Sequence, residues 1–545
     1  MSTPAWDHDA DIVIVGGGSA GAVLAGRLSE DPATQVLLIE AGRSGRHPLF
    51  LVPGAQVFVR DWSRHAWAYD IEPDPTRLGR TETWRRGKSL GGSSTINGLI
   101  FARGLPSDFD RWAAAGLPQW SFEKLLPYFR RMEASADFPH SPLRGDGGPV
   151  PVEVLRSAHV LAQDLLASAQ RMGIPIHADA NAMQGEGLGL AQTNQQRGLR
   201  VSSETSHLQP ARRRQNLRVL TDATALRILF DGRRAEGVEI DLGGRRRRVR
   251  ARRETVLSAG PIASPSLLAR SGVGPGRALQ ALGIPVVADS PDVGAHLQDH
   301  PDVYVEYEVR VPTYSSALRG ANLVKAGLQF LLRRDGPATS PGTHVLGYLK
   351  SRPSEPEPDL LFFSGPWSRI EDGGTFTSPR AVMSMSPSLC RPRSRGCISL
   401  RSADPTDPPR IQANMLADAD DIRRLIAGVR LADRLAMTAP LCDQVIRRLT
   451  PDASNLDDDT ALEAWLRADA TTCYHACGTC RMGADAASVV DAELRVRGVN
   501  KLRVVDSSVF PEIPSGNLNA PTVMLAERAA DLMRQALAGD VMRES

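Results

Sequence analysis

Asp11-Ile12-Val13-Ile14-Val15-Gly16-Gly17-Gly18-Ser19-Ala20-Gly21 stands near the amino end, and Val36-Leu37-Leu38-Ile39-Glu40 follows it closely. The β-branched run Ile12 to Val15 suits a strand buried on both faces, as in a parallel sheet. Gly16 permits the tight turn out of that strand. Gly18 lets the backbone approach a pyrophosphate, and Gly21 lets the following helix pack closely on the strand. The helix expected from Ser19 to Ser29, opening with Ser19 and Ala20, points its first N–H groups at the phosphates. A second buried strand ends in Glu40, before Ala41, where an acid would bind a ribose hydroxyl. A lone G-x-G-x-x-G carries little weight. Here strand, glycines, helix, strand and acid fall in register, and they point to an ADP-bearing dinucleotide on a Rossmann-like α/β lobe.

The composition around this motif is that of an ordinary globular protein. At 545 residues the chain is too long for one simple core, so two substantial lobes are expected. Apolar residues make up 42% and the formal net charge is +3, which predicts neither global disorder nor a polyanionic partner. No stretch approaches the roughly 18 consecutive apolar residues of a membrane span. The opening residues run into the first strand without a positive segment and an apolar core. No secretory signal is therefore expected, and a cytoplasmic location is.

Two clusters invite other readings. Cys473, Cys477 and Cys480 surround His475, but the spacing is too compact for a two-knuckle zinc site and no second ligand pair follows. No metal is expected, and the six cysteines read as free thiols. Arg245-Arg246-Arg247-Arg248, with Arg250, Arg252 and Arg253, could contact nucleic acid. The run lies between Val238-Glu239-Ile240 and Thr255-Val256-Leu257, with a Gly243-Gly244 turn. It reads as an edge hairpin with a solvated basic face, and no nucleic-acid partner is expected.

Further segments are more specific. Gly87-Lys88-Ser89-Leu90-Gly91-Gly92-Ser93-Ser94-Thr95-Ile96-Asn97-Gly98 continues through Phe101 and Gly104 to Asp110. Gly260-Pro261-Ile262-Ala263-Ser264-Pro265 continues to Gly274 after a strand ending in Ser258-Ala259. Val293 to His300, Arg503 to Ser508, His475 to Gly483 and Gly516-Asn517-Leu518-Asn519-Ala520-Pro521-Thr522 complete the set. These blocks resemble the glucose-methanol-choline (GMC) family of flavoprotein oxidoreductases over essentially the whole chain, nearest to its bacterial choline and alcohol dehydrogenase-like members.

The resemblance implies an FAD-binding lobe assembled from about 8–158, 213–300 and 486–540. A substrate lobe of antiparallel sheet and helices would take 159–212 and 301–485. It implies FAD contacts from Gly87, Gly91, Gly92, Ser93, Asn97, Gly98, Ala225, Ala259, Gly260, Asp506, Ser507, Ala520, Pro521 and Thr522, besides the first turn. Helices are read over Asp420 to Thr438 and Ala520 to Ala538, and surface loops over Arg352 to Pro358 and Ser364 to Pro379.

Alcohol oxidation by a flavin needs a base for the hydroxyl proton, and imidazole suits that task. The resemblance places His475 as this base, with Asn519 orienting the substrate oxygen through its amide. His159 and His207 read as structural. Ile96 stands where some relatives attach flavin through a histidine, so FAD should be non-covalent. Choline-type relatives place a Glu in the segment Gly342 to Tyr348, where an ungapped alignment here gives His344. With no carboxylate to meet a quaternary ammonium, a neutral primary alcohol is expected, in a pocket with Phe101, His344 and Tyr348. The electron acceptor could be oxygen, a quinone or a soluble carrier. Two alternatives use the same scaffold: a fatty-acid photodecarboxylase, faintly echoed by Cys390 to Gly396 and Arg410, and a hydroxynitrile-type lyase.

Overall fold

The computed structural model describes residues 6–59, 63–314, 320–369, 380–452 and 456–544. The opening motif forms as read. Strand His8–Val15 runs parallel to Val36–Ile39 with Ile12 opposite Val36 and Val15 opposite Ile39. Ile12, Val13 and Ile14 are fully buried, as a strand covered on both faces requires. Helix Ser19–Leu28 follows the glycine turn, and a Cβ on Gly21 would run into the Gly16 carbonyl.

The first sheet has seven strands. Its path is Leu217–Leu220, Val36–Ile39, His8–Val15, Arg245–Leu257, Arg234–Leu242 and Ala223–Asp231, and Leu502–Val504 pairs with Arg245–Leu257. The strand carrying the basic run is interior from Val249 onward, between His8–Val15 and Arg234–Leu242, while Arg245–Arg248 at its start pair only with Arg234–Leu242 as the expected hairpin. The reason is that the strand runs on past the basic residues to buried Thr255, Val256 and Leu257 and pairs in parallel with His8–Val15 from Val249 onward. Its arginines are answered locally: Arg247 pairs with Asp7, and Arg252 with Asp9 and Asp11.

The second sheet has eight strands and is antiparallel. Its path is Val445–Thr450, Val305–Val309, Val382–Leu389, Leu360–Gly365, Val345–Leu349 and Gly187–Leu190, with Pro301–Asp302 pairing Val382–Leu389 and Thr471–Thr472 off this path. Helix Ala419–Ala436, capped by the Asp418 carboxylate on Asp420 N at 2.8 Å, buries Leu425, Val429, Ala432 and Leu435 in this lobe's core. The expected Asp420–Thr438 helix is thus shifted by a residue or two. Cys477, Cys480 and Met482 pack in the first lobe's core, so the chain rejoins that lobe before residue 485. Arg352 to Pro358 forms no helix or strand. Of Ser364 to Pro379, Ser364 and Gly365 end a strand, and 370–379 lie outside the described residues.

The last helix, Asn519–Glu544, packs on Ser19–Leu28 and joins the two ends of the chain. Buried Glu527 on it pairs with Arg27 at 2.9 Å, with Arg131 at 2.8 Å and with His207 at 3.1 Å. Among the described residues no helix is long and apolar enough to cross a membrane.

Candidate active site

A cavity of about 790 Å³ runs from the glycine turn to His475. Its first end is lined by Gly16, Gly18, Ser19, Ala20, Glu40 and Ala41. Gly87, Ser93, Asn97 and Gly98 come to the same cavity, as do Ala225, Ala259 and Gly260. Asp506, Ser507 and Thr522 close it from the carboxyl end. Gly21, Gly91, Gly92, Ala520 and Pro521 are not among the lining residues. Gly92 still matters there, because a Cβ on it would sit 2.6 Å from Gly18 Cα.

Two carboxylates brace these turns. Glu40 accepts from Gly17 N and from Gly42 N, each at 2.8 Å. Burial lifts its carboxyl to about 7 against those bonds. Asp506 accepts from Gly260 N at 2.9 Å, Ser264 Oγ at 2.6 Å and Ser508 N at 2.8 Å. It thereby latches the second glycine turn to the C-terminal block, and burial raises its carboxyl too.

At the far end His475 is delivered by a strained turn. Tyr474 has φ 62°, a left-handed conformation rare for an aromatic residue. The turn is held by Tyr474 N on Thr472 Oγ1 at 2.7 Å and by His475 N on Asp299 Oδ1 at 2.8 Å. Segment Leu297–His300 lies alongside and exchanges backbone bonds with Cys477 through Gln298. His475 Nε2 is 3.1 Å from Asn517 Nδ2, and its Nδ1 is 2.9 Å from His300 Nδ1. Burial first, then His300 and Arg86, push the His475 imidazole well below its ordinary pKa, so the ring is neutral near pH 7.

The amide that meets His475 is Asn517, which the sequence reading passed over. Asn519 opens the last helix, and its Oδ1 accepts from Ser19 Oγ at 2.9 Å. It lines the same cavity and ties the two helix starts together, its hydrogen bond going to Ser19 and not to the imidazole. The three residues expected in the substrate pocket do not line the cavity. Phe101 is buried in the first core. Tyr348 is buried and donates to the Ser515 carbonyl at 3.0 Å. His344 is fully buried between His159 N and Ser340 Oγ, at 3.0 Å from each.

Besides Glu40 and Asp506, the lining includes the Asp302 carboxylate, which the sequence reading did not single out. It accepts from Ser386 and from the Tyr304 hydroxyl, burial raises its pKa, and Arg369 opposes that rise. The Arg369 guanidinium lies over the Tyr304 ring, 4.8 Å from its centroid. Tyr304, Tyr314, Phe363 and Trp367 make the surrounding wall aromatic. Among the described residues no group of three or more His, Cys, Asp or Glu is arranged to hold a metal.

The residues present fit an adenine dinucleotide with a reactive ring. Bare glycine backbone meets the cavity at Gly16, Gly18 and Gly87, which leaves room for a diphosphate. Buried polar atoms of lining residues, Ser258 Oγ and Asn517 Oδ1 among them, have no hydrogen-bond partner among the described residues. Parallel sheet, glycine turn, terminal acid and a distant imidazole on one cavity define a dinucleotide-dependent oxidoreductase.

Comparison with known proteins gives the family. The chain matches GMC oxidoreductase over residues 10–302 and again over 392–526. It is 41% identical over 535 residues to an uncharacterised GMC-type oxidoreductase of Mycobacterium tuberculosis strain H37Rv, covering 97% of this chain and 100% of that one. It is 40% identical over 540 residues to the oxygen-dependent choline dehydrogenase of Burkholderia vietnamiensis, covering 98% and 94%. Pyridoxine 4-oxidase from Mesorbium loti superposes with a TM-score of 0.87 at 29% identity, over 96% of this chain and 99% of that one. Formate oxidase from Aspergillus oryzae gives 0.89 at 28% identity, over 98% and 99%. The chain belongs to the GMC oxidoreductase family and is an FAD-dependent enzyme.

Proposed function

We propose that the protein oxidises a primary alcohol to its carbonyl compound, with His475 as the base and Asn517 as its partner. The observation that carries this reading is the 3.1 Å approach of His475 Nε2 and Asn517 Nδ2 on the cavity that also holds the glycine turns. When bound, FAD supplies the acceptor for the hydride that leaves the carbinol carbon. The chain's own residues do the rest. The neutral imidazole takes the hydroxyl proton, and the Asn517 amide holds the substrate oxygen beside it. Asp299 and Thr472 fix the strained turn, so the base is positioned before substrate arrives.

Segments 8–158, 213–300 and the carboxyl-terminal stretch from about Cys477 hold the cofactor in this reading, and 159–212 with 301 to about 476 form the substrate side. Ile96 on the cavity wall offers no nucleophile, which supports non-covalent FAD. Neither Cys390, Arg391 nor Arg410 lines the cavity, which disfavours decarboxylation of a fatty acid there. The Asp302 charge is answered by Ser386, Tyr304 and Arg369, so the wall offers the substrate mainly aromatic surface. That supports a neutral alcohol with an apolar or aromatic body.

A second reading, an alcohol carrying a cationic group, is favoured by the Asp302 carboxylate among those rings. Anaerobic reduction of the holoenzyme by a panel of aromatic, aliphatic and quaternary-ammonium alcohols separates them. The first reading expects the uncharged alcohols to reduce the flavin fastest, with Asp302→Asn nearly neutral. Choline-like alcohols reducing fastest, with a large loss in Asp302→Asn, would replace it by the second. Reoxidation by air and by a quinone analogue then identifies the acceptor.

A further inference from the structure

We infer that His300 is a positioning residue that fixes which nitrogen of His475 carries the proton. The inference rests on His475 acting as the base. His300 is fully buried, its ring perpendicular to that of His475, with centroids 5.1 Å apart. Its Nε2 lies 3.1 Å from the Cys390 carbonyl oxygen, and its Nδ1 lies 2.9 Å from His475 Nδ1.

The proton inventory follows from donors and acceptors alone. A carbonyl oxygen can only accept, so His300 Nε2 carries the hydrogen and donates to Cys390. A neutral imidazole has one N–H, which leaves His300 Nδ1 as a lone pair. Two facing lone pairs at 2.9 Å repel, so His475 Nδ1 must donate. The remaining lone pair of His475 is then at Nε2, the nitrogen beside Asn517 at the cavity. The other tautomer would break the Nδ1–Nδ1 bond and turn an N–H toward the Asn517 amide N–H.

The same arrangement serves the transfer itself. The alcohol O–H bond breaks, its proton moves to His475 Nε2, and the Nδ1–H stays bonded to His300. That bond becomes charge-assisted as the imidazolium forms, and so it strengthens during the step. The charged groups facing the pair are Arg86 and Asp299 beside His475, and Arg391 beside His300. His300 ends the block Val293 to His300, but nothing in the linear sequence reveals which ring it meets.

The test uses the FAD-loaded enzyme. Nitrogen NMR of protein labelled at histidine, with His475→Gln to assign the signal, should show wild-type His475 protonated at Nδ1. His300→Leu removes the acceptor and should slow anaerobic flavin reduction by about ten- to a hundred-fold, the range of one lost hydrogen bond to a group that becomes charged. FAD content and the apparent substrate affinity should change little. His300→Asn keeps an oxygen near the Nδ1 position and should recover most of the rate. His475 protonated at Nε2 in the wild type would overturn the inference, as would equal losses in His300→Leu and His300→Asn. Unimpaired reduction in His475→Ala would instead sink the underlying reading of the base, so the two failures are distinguishable.

Discussion

Glu40→Ala removes one side chain that satisfies two buried backbone donors. Its oxygens accept from Gly17 N and Gly42 N at 2.8 Å each, and the residue is 6% exposed. An orphaned buried donor costs about 1–3 kcal/mol, so the turn loses about 2–6 kcal/mol before any contact to the cofactor is counted. The same turn must be formed to hold FAD, so the loss appears twice. The apoprotein should unfold at lower urea, and the FAD dissociation constant should rise at least about ten-fold. Urea unfolding of the apoprotein and flavin release on serial dilution measure the two effects separately. Because the folded carboxyl is lifted to about 7 from 4.5, its contribution to stability is complete below pH 4.5 and is lost as pH rises through about 7. Glu40→Ala should lack that pH dependence. An unchanged urea midpoint together with unchanged FAD affinity would refute this account of the turn.

Asn517→Ala should slow anaerobic flavin reduction and raise the half-saturating alcohol concentration. Asn519→Ala should chiefly loosen FAD retention, since it frees Ser19 Oγ; equal effects on reduction by the two variants would contradict these roles. Acid or heat denaturation should release all the flavin into the supernatant, and flavin precipitating with the polypeptide would show covalent attachment. Burial holds His300 near 4 and His344 near 3 while the unfolded chain titrates at 6.5. Their contribution to stability is present above pH 6.5 and lost as pH falls toward those values. His344→Gln should therefore flatten the decline of the urea midpoint between pH 6.5 and 4.

The parts legible in the sequence are those set by local chemistry. The strand, glycine turn and helix from Ile12 to Leu28 follow from β-branching, from the need for bare backbone and from close helix packing. Glu40 follows from its place at a strand end. Whether Arg245–Leu257 is an edge or an interior strand depends on which distant strands pair with it, and the basic residues at its start do not reveal the parallel pairing from Val249 onward. Asn517 and Asn519 are two residues apart at the entry to a helix, and residue type alone does not say which one reaches His475 and which one reaches Ser19. The placement of His344 failed for a related reason. An ungapped register through a loop region cannot locate a side chain, and the carboxylate beside the cavity's aromatic wall is Asp302. The Gln298-Asp299-His300 run offered a signal, three polar residues in succession ahead of a proline, but their partners lie more than 170 positions later at His475.

Anaerobic rapid-mixing of the FAD-loaded enzyme with its best alcohol, in wild type and His475→Ala, tests the central claim most directly. The account predicts rapid bleaching of the wild-type flavin and a loss of about a hundred- to ten-thousand-fold in the variant, the range general-base catalysis supplies. FAD should stay bound, because Glu40 and the glycine turns are untouched, and raising the pH should return part of the rate. Bleaching of the His475→Ala flavin at the wild-type rate near neutral pH would contradict the account.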